Sequence, residues 1–172
     1  MHVLLTGSTG FIGHTLQAAL EAAGHTVHGG ASPRSAGAQP GLVPMDFAHD
    51  TTVAPWLPRL QGIDAVVNAV GVLRDTRARP INAVHRDTPI ALFDACAQAG
   101  VRRMVQISAL GIEGSNTRYA QTKLAAMEAL SPPIPQAVEA RVASLRANGQ
   151  SLARSNGGSA ADAQHFAAEL LN

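Results

Sequence analysis

The chain has little aromatic residue, little charge and almost no cysteine. Aromatic residues make up 3% of its 172 positions and charged residues 15%, and the net charge is +1 with histidine neutral. So weak a field does not draw a protein to nucleic acid or to an anionic membrane, and so few rings leave few platforms for stacked bases. A single cysteine, Cys96, excludes an internal disulfide and fits a reducing compartment. In its apolar helical run it reads as a small buried hydrophobe. No apolar run is long enough to span a bilayer, and the N-terminus enters a strand without a charged and then apolar leader. A cytoplasmic protein is the expectation. The seven histidines are scattered without ligand spacing, so no metal site is expected.

What is present is concentrated near the N-terminus. Residues 3–13 read Val-Leu-Leu-Thr-Gly-Ser-Thr-Gly-Phe-Ile-Gly: an apolar strand, three glycines spaced three apart, then an apolar-periodic helix through Phe11, Ile12, Leu16 and Leu20. Gly7 permits the tight turn, Gly10 lets backbone approach a pyrophosphate, and Gly13 lets the helix pack close to the strand. The helix start then offers N–H groups and a partial positive charge to phosphates. Strand before and helix after give the glycine triplet its meaning as a dinucleotide fingerprint.

The rest of the first 130 residues alternates strand and helix. Strands are predicted at 2–6, 26–30, 42–46, 64–70 and 103–108, with Pro44 placing the third at a sheet edge. Helices are predicted at 11–23, weakly at 50–61, and at 80–99 and 117–130, with a Gly/Pro/Ser/Ala-rich loop at 31–41. Alternation of this kind implies parallel pairing with right-handed crossovers. The expected fold is α/β, a Rossmann-type doubly wound parallel sheet of strand order 3-2-1-4-5. After Leu130 the pattern changes to Ser-Pro-Pro-Ile-Pro and an Ala/Ser/Gln/Asn-rich tail. The chain therefore divides into residues 1–130, a nucleotide-binding domain, and 131–172, a tail expected to be helical or partly disordered.

A second constellation follows the sheet. Ser108 closes a strand, and Tyr119 and Lys123 stand four apart on one face of the next helix. An ammonium beside a phenol is expected to lower the phenol's pKa, which would let Tyr119 exchange a proton with a carbonyl or alcohol oxygen that Ser108 orients. Tyr119 is the chain's one tyrosine.

These motifs together resemble the short-chain dehydrogenase/reductase superfamily, in its extended or atypical branch, the NAD-dependent epimerase/dehydratase-like proteins and the related accessory subunit of respiratory complex I. Thr6-Gly7-Ser8-Thr9-Gly10-Phe11-Ile12-Gly13 matches the phosphate loop, Asp46-Phe47 the pair flanking the adenine, Asn68-Ala69-Val70-Gly71 the stretch along the cofactor, and Ser108, Tyr119 and Lys123 the catalytic set. The resemblance implies that Lys123 also holds the nicotinamide ribose. His85 stands where the family often has Asn. The loop between Ser108 and Tyr119 is short. The family's next strand and substrate lobe find no counterpart after Leu130, so the tail looks like a truncation or a change of reading frame.

The end of the second strand carries no acidic residue. Ser32 and Arg34 could meet a 2′-phosphate, which favours NADP(H) over NAD(H). The resemblance implies hydride transfer between the nicotinamide and an alcohol or carbonyl substrate of unknown identity. The alternatives are a catalytically silent NAD(P)-binding accessory or sensor protein, and a non-functional fragment. Arg74, Arg77 and Arg79 read as a solvated loop, and His14 as a surface position in the first helical turn. The sequence leaves the oligomeric state open; the resemblance allows a homodimer through the Tyr119/Lys123 helix, in which Leu124, Met127 and Leu130 serve either such an interface or the core.

Overall fold

The structure, a computed structural model, describes residues 1–109 and 112–130. Expectations for the tail, 131–172, and for the side chain of Leu130 lie outside the described residues. The elements are β1 (His2–Thr6), α1 (Phe11–Ala22), β2 (Thr26–Ala31), α2 (Pro33–Ala38), β3 (Val43–Pro44), a 3-10 turn (Leu57–Leu60), β4 (Ala65–Asn68), a π-turn (Ala83–Asp87), α3 (Thr88–Ala99), β5 (Arg103–Gln106) and α4 (Arg118–Leu130). All pairings are parallel, and the sheet order is β3-β2-β1-β4-β5, the doubly wound arrangement that the alternation predicts.

The sheet is buried on both faces because its strands are apolar at consecutive positions, and their two-residue period divides these side chains between two cores. Leu4, Val66 and Met104 point to one face and pack with Trp56, Leu92, Phe93 and Cys96. Val3, Leu5, Val67 and Val105 point to the other and pack with Leu16 and Leu20 of α1. Helix α4 lies against the π-turn and α3. Cys96 is fully buried, and burial pushes its thiol up to about 12, which fits its expected role as a small hydrophobe.

Three local expectations are corrected. Residues 31–41 are not all loop: Pro33–Ala38 forms a short helix, because Ser32 accepts a hydrogen bond from the Ser35 N–H and Pro33 occupies its first position. The helix expected at 50–61 reduces to one 3-10 turn at Leu57–Leu60, with Pro58 inside it. The helix expected as continuous from 80 to 99 carries a π-turn, where the Thr88 N–H reaches the Ala83 carbonyl. Pro89 has no N–H to give to the carbonyl of residue 85, and its ring crowds that carbonyl, so the helix widens by one residue just before it.

Burial sets the expected cost of truncation. Leu92 is fully buried and Leu73 is 83% exposed. Leu92→Ala should lose about 2–5 kcal/mol of stability and Leu73→Ala less than about 0.5 kcal/mol, read as denaturant midpoints at constant m-value. Equal losses would contradict this core assignment.

Candidate functional site

Parallel strands present their C-terminal ends on one edge, and the sequence-selected residues gather there. After β1 the chain turns at Gly7, whose φ is +74°. A side chain at Gly13 would collide with the Gly7 carbonyl, so the start of α1 can sit this close to the turn only with glycine there. Gly10 precedes the helix and no side chain caps it, which leaves the helix start available to an anion. Thr9, Gly10, Phe11 and Ile12 are exposed there, Phe11 at 79%. Ser8 differs from its neighbours. It is buried, and both its N–H and its hydroxyl donate to the Gly30 carbonyl, at 3.0 and 3.3 Å. It therefore ties the loop to β2. A cleft of about 350 Å³ opens beside the loop, lined by Ser8, Thr9, His14, Gln17, Glu21 and Leu42 among others.

Asn68 is fully buried. Its Oδ1 accepts from Thr6 Oγ1 at 2.5 Å and from the Val70 N–H at 3.2 Å, and its Nδ2 donates to Gln106 Oε1 at 2.7 Å. The side chain thus shapes the Ala69-Val70-Gly71 turn from below. Thr6 and Gln106 complete this network. The sequence pattern alone gives Gln106 no role and Thr6 only a place before the glycine turn. Phe47 likewise turns inward: its ring packs edge-on to Trp56, with centroids 5.6 Å apart, and its carbonyl accepts from Thr88 Oγ1. Asp46 folds into its own turn, its carboxylate bonded to the Ala48 N–H and to His49. Arg34 is exposed on α2, as are Arg74, Arg77 and Arg79 in the loop after β4. Asp75 in that loop pairs with Arg118 of α4 at 2.6 Å.

Tyr119 and Lys123 meet as expected, with Lys123 Nζ 5.7 Å from the Tyr119 ring centre. Their electrostatics differ from the expectation. Burial raises the Tyr119 phenol above its ordinary value, so the lysine does not bring it down. Burial also lowers Lys123 to about 8, and its Nζ donates to the Ile107 carbonyl at 3.1 Å. The loss of hydration outweighs the attraction between the two groups. Ser108 Oγ donates to Met127 Sδ at 3.1 Å.

His85 lies in the π-turn, 2% exposed. Its Nε2 accepts from the Val72 N–H at 2.9 Å, and its Nδ1 lies 3.0 Å from Thr122 Oγ1. The Thr122 hydroxyl donates to the Arg118 or Tyr119 carbonyl, so it must accept from His85, and the proton sits on Nδ1. Burial, then the Lys123 charge, push the imidazole down to about 4.

Two outcomes are expected. Gly13→Ala should lower the melting temperature, because the added methyl forces α1 off the turn. His85 takes a proton near 6.5 when unfolded and only near 4 when folded, so the unfolded state binds more protons across that window. Stability should fall by up to about 3 kcal/mol as the pH drops from 6.5 to 4. Denaturant titrations of wild type and His85→Gln should differ by that component, and parallel curves would refute it.

Known proteins match this arrangement. The sequence model of the NAD dependent epimerase/dehydratase family matches residues 3–137. Among solved structures, a short-chain dehydrogenase/reductase superfamily protein from Agrobacterium tumefaciens with bound NAD is 26% identical, with a TM-score of 0.64 over 76% of this chain and 44% of that one. A short-chain dehydrogenase from Streptomyces avermitilis is 25% identical, with a TM-score of 0.62 over 92% of this chain and 65% of that one. UDP-glucuronic acid 4-epimerase from Bacillus cereus, in complex with NAD, shares the fold at 21% identity and a TM-score of 0.59, over 76% of this chain and 51% of that one. A second similarity is shorter. Phosphoheptose isomerase of Azoarcus sp. is 72% identical over 53 residues, which is 31% of this chain and 27% of that protein. That of Thiobacillus denitrificans is 58% identical over 61 residues, 36% and 31% respectively. The chain thus spans about a third or less of the curated relatives it matches. With the family model covering most of its length and the glycine loop, sheet order and Tyr–Lys helix in place, the chain belongs to the NAD dependent epimerase/dehydratase family.

Proposed function

We propose that this chain binds a nicotinamide dinucleotide across the C-terminal edge of its sheet and supports hydride transfer to or from an alcohol or carbonyl carbon. The observation that carries this is the pairing of an uncapped α1 start, held against the Gly7 turn, with Lys123 and Tyr119 on the other side of the same edge. The pyrophosphate would lie at the α1 start and the adenine near Asp46-Phe47. The nicotinamide ribose would lie near Lys123. The dinucleotide supplies the hydride acceptor or donor, and the rest of the chemistry belongs to the side chains. Tyr119, protonated at neutral pH, can donate to a developing alkoxide and take the proton back in the reverse direction. Lys123 stabilises the resulting phenolate. Ser108 would orient the substrate oxygen after its hydroxyl turns away from Met127.

NADP(H) is the favoured form. Ala31 and Ser32 at the end of β2 present no carboxylate to repel a 2′-phosphate, and Arg34 is exposed in the first turn of α2. The NAD-bound neighbours argue for the other dinucleotide. Pairing of two copies through α4 is part of the same proposal, supported by Leu124 and Met127, which are only partly buried. A second reading, a catalytically silent binder, is favoured by the Ser108–Met127 hydrogen bond, which directs the orienting hydroxyl into the protein.

Titration with NADPH and separately with NADH, followed by nicotinamide fluorescence, should give saturable binding, tighter for NADPH. Lys123→Met should weaken it about tenfold, the worth of a charged hydrogen bond, while Tyr119→Phe leaves it unchanged. Absence of binding by folded protein would overturn the dinucleotide assignment. Tighter NADH binding would overturn only the preference.

A further inference from the structure

His85 joins two segments that the proposed reaction needs in register. One is the Gly71-Val72 turn after β4, which runs along the proposed cofactor path. The other is α4, which carries Tyr119 and Lys123. The imidazole accepts from Val72 with one nitrogen and donates to Thr122 with the other. Thr122 lies next to Lys123 and is anchored in turn to the Arg118 and Tyr119 carbonyls. The ring also stands edge-on to Tyr119, with centroids 5.1 Å apart and planes at 87°. Gly71 completes the contact: a Cβ there would lie 3.7 Å from both His85 Nε2 and Lys123 Nζ. The backbone of the turn, the imidazole and the ammonium are therefore mutual neighbours, and the Asp75–Arg118 ion pair joins the same two segments at the surface.

We propose that His85 is a positioning residue which, as the neutral Nδ1–H tautomer, fixes the turn after β4 to α4 and so sets Tyr119 and Lys123 against the nicotinamide half of the dinucleotide. The bridge is bidirectional, one acceptor and one donor at opposite sides of a rigid ring. No single flexible amide reproduces both bonds: Gln can retain an acceptor for Val72, and Asn a donor for Thr122. A proton on Nε2 would face the Val72 N–H and open the bridge. His85 itself need touch neither substrate nor cofactor.

The inference rests on the dinucleotide reading above, and its test has one arm that does not. Tyr119 is the chain's one tyrosine, so the tyrosinate absorbance of the whole chain reports on that site alone. His85→Gln, His85→Asn and Thr122→Val, each checked for folding by thermal melt, should admit water to the phenol. Its alkaline midpoint should then move down toward the ordinary value. In the second arm, calorimetry with NAD+ and with ADP separates the two halves of the site. The variants should weaken NAD+ about fivefold, the worth of one net hydrogen bond, and leave ADP unchanged. An unmoved tyrosine midpoint in folded variants overturns the proposal. So does an equal loss of NAD+ and ADP, which is the signature of general loosening. If wild type binds neither probe and NADPH fails as well, the dinucleotide reading fails, and the tyrosine arm still decides whether His85 sets Tyr119.

Discussion

A single buried carboxamide ties together the C-terminal edge of the sheet. Asn68 ends β4, and its side chain reaches Thr6 at the end of β1 and Gln106 at the end of β5, while also catching the Val70 N–H. Polar groups this deep are costly unless fully bonded, and a fully bonded set is correspondingly specific. The backbone ladders put Thr6, Asn68 and Gln106 opposite one another at the ends of β1, β4 and β5. The Asn68 network ties that line together, and the neighbouring segments leave from it: the glycine turn from β1, the Ala69-Val70-Gly71 turn from β4, and Ile107, whose carbonyl holds Lys123, directly after β5.

Above that edge the protein concentrates basic groups while limiting positive charge. His85 and Lys123 are both buried and close to the same glycine. Two cations there would repel each other and lose hydration together. The imidazole is kept neutral and used as a bridge, and the lysine bonds to a carbonyl with its pKa brought close to neutrality. This leaves one adjustable charge beside the phenol. The raised phenol pKa follows from the same burial that keeps water from the site.

Legibility in the sequence varied from residue to residue. Gly7, Gly10 and Gly13 were readable because a turn followed by a close-packed helix is a local demand, satisfied within a dozen residues. The sheet order followed from alternation and the handedness of crossovers. Tyr119 and Lys123 were readable as a pair because helical spacing alone brings them together. The sign of the phenol's pKa shift was not readable, since it depends on how much water the neighbouring segments exclude. The short α2 was hidden by composition: Ser32 and Pro33 are loop formers in isolation but a cap and a first turn when a strand delivers them in that orientation.

The sequence by itself determined the fold class, the glycine turn with its close-packed helix, and the face of α4 that brings Tyr119 and Lys123 together, because each is encoded by residues adjacent along the chain or one helical turn apart. Only the tertiary structure decided that Asn68 and Phe47 turn inward, that Ser8 ties the loop to β2, and that His85 joins a turn to a helix. Those outcomes depend on partners far away in the chain, 62 residues for Thr6 and Asn68 and 37 for His85 and Thr122. The π-turn lies between the two cases. Its cause, Pro89, is local, but its consequence, an imidazole aimed at both Val72 and Thr122, exists only once α4 has packed against it.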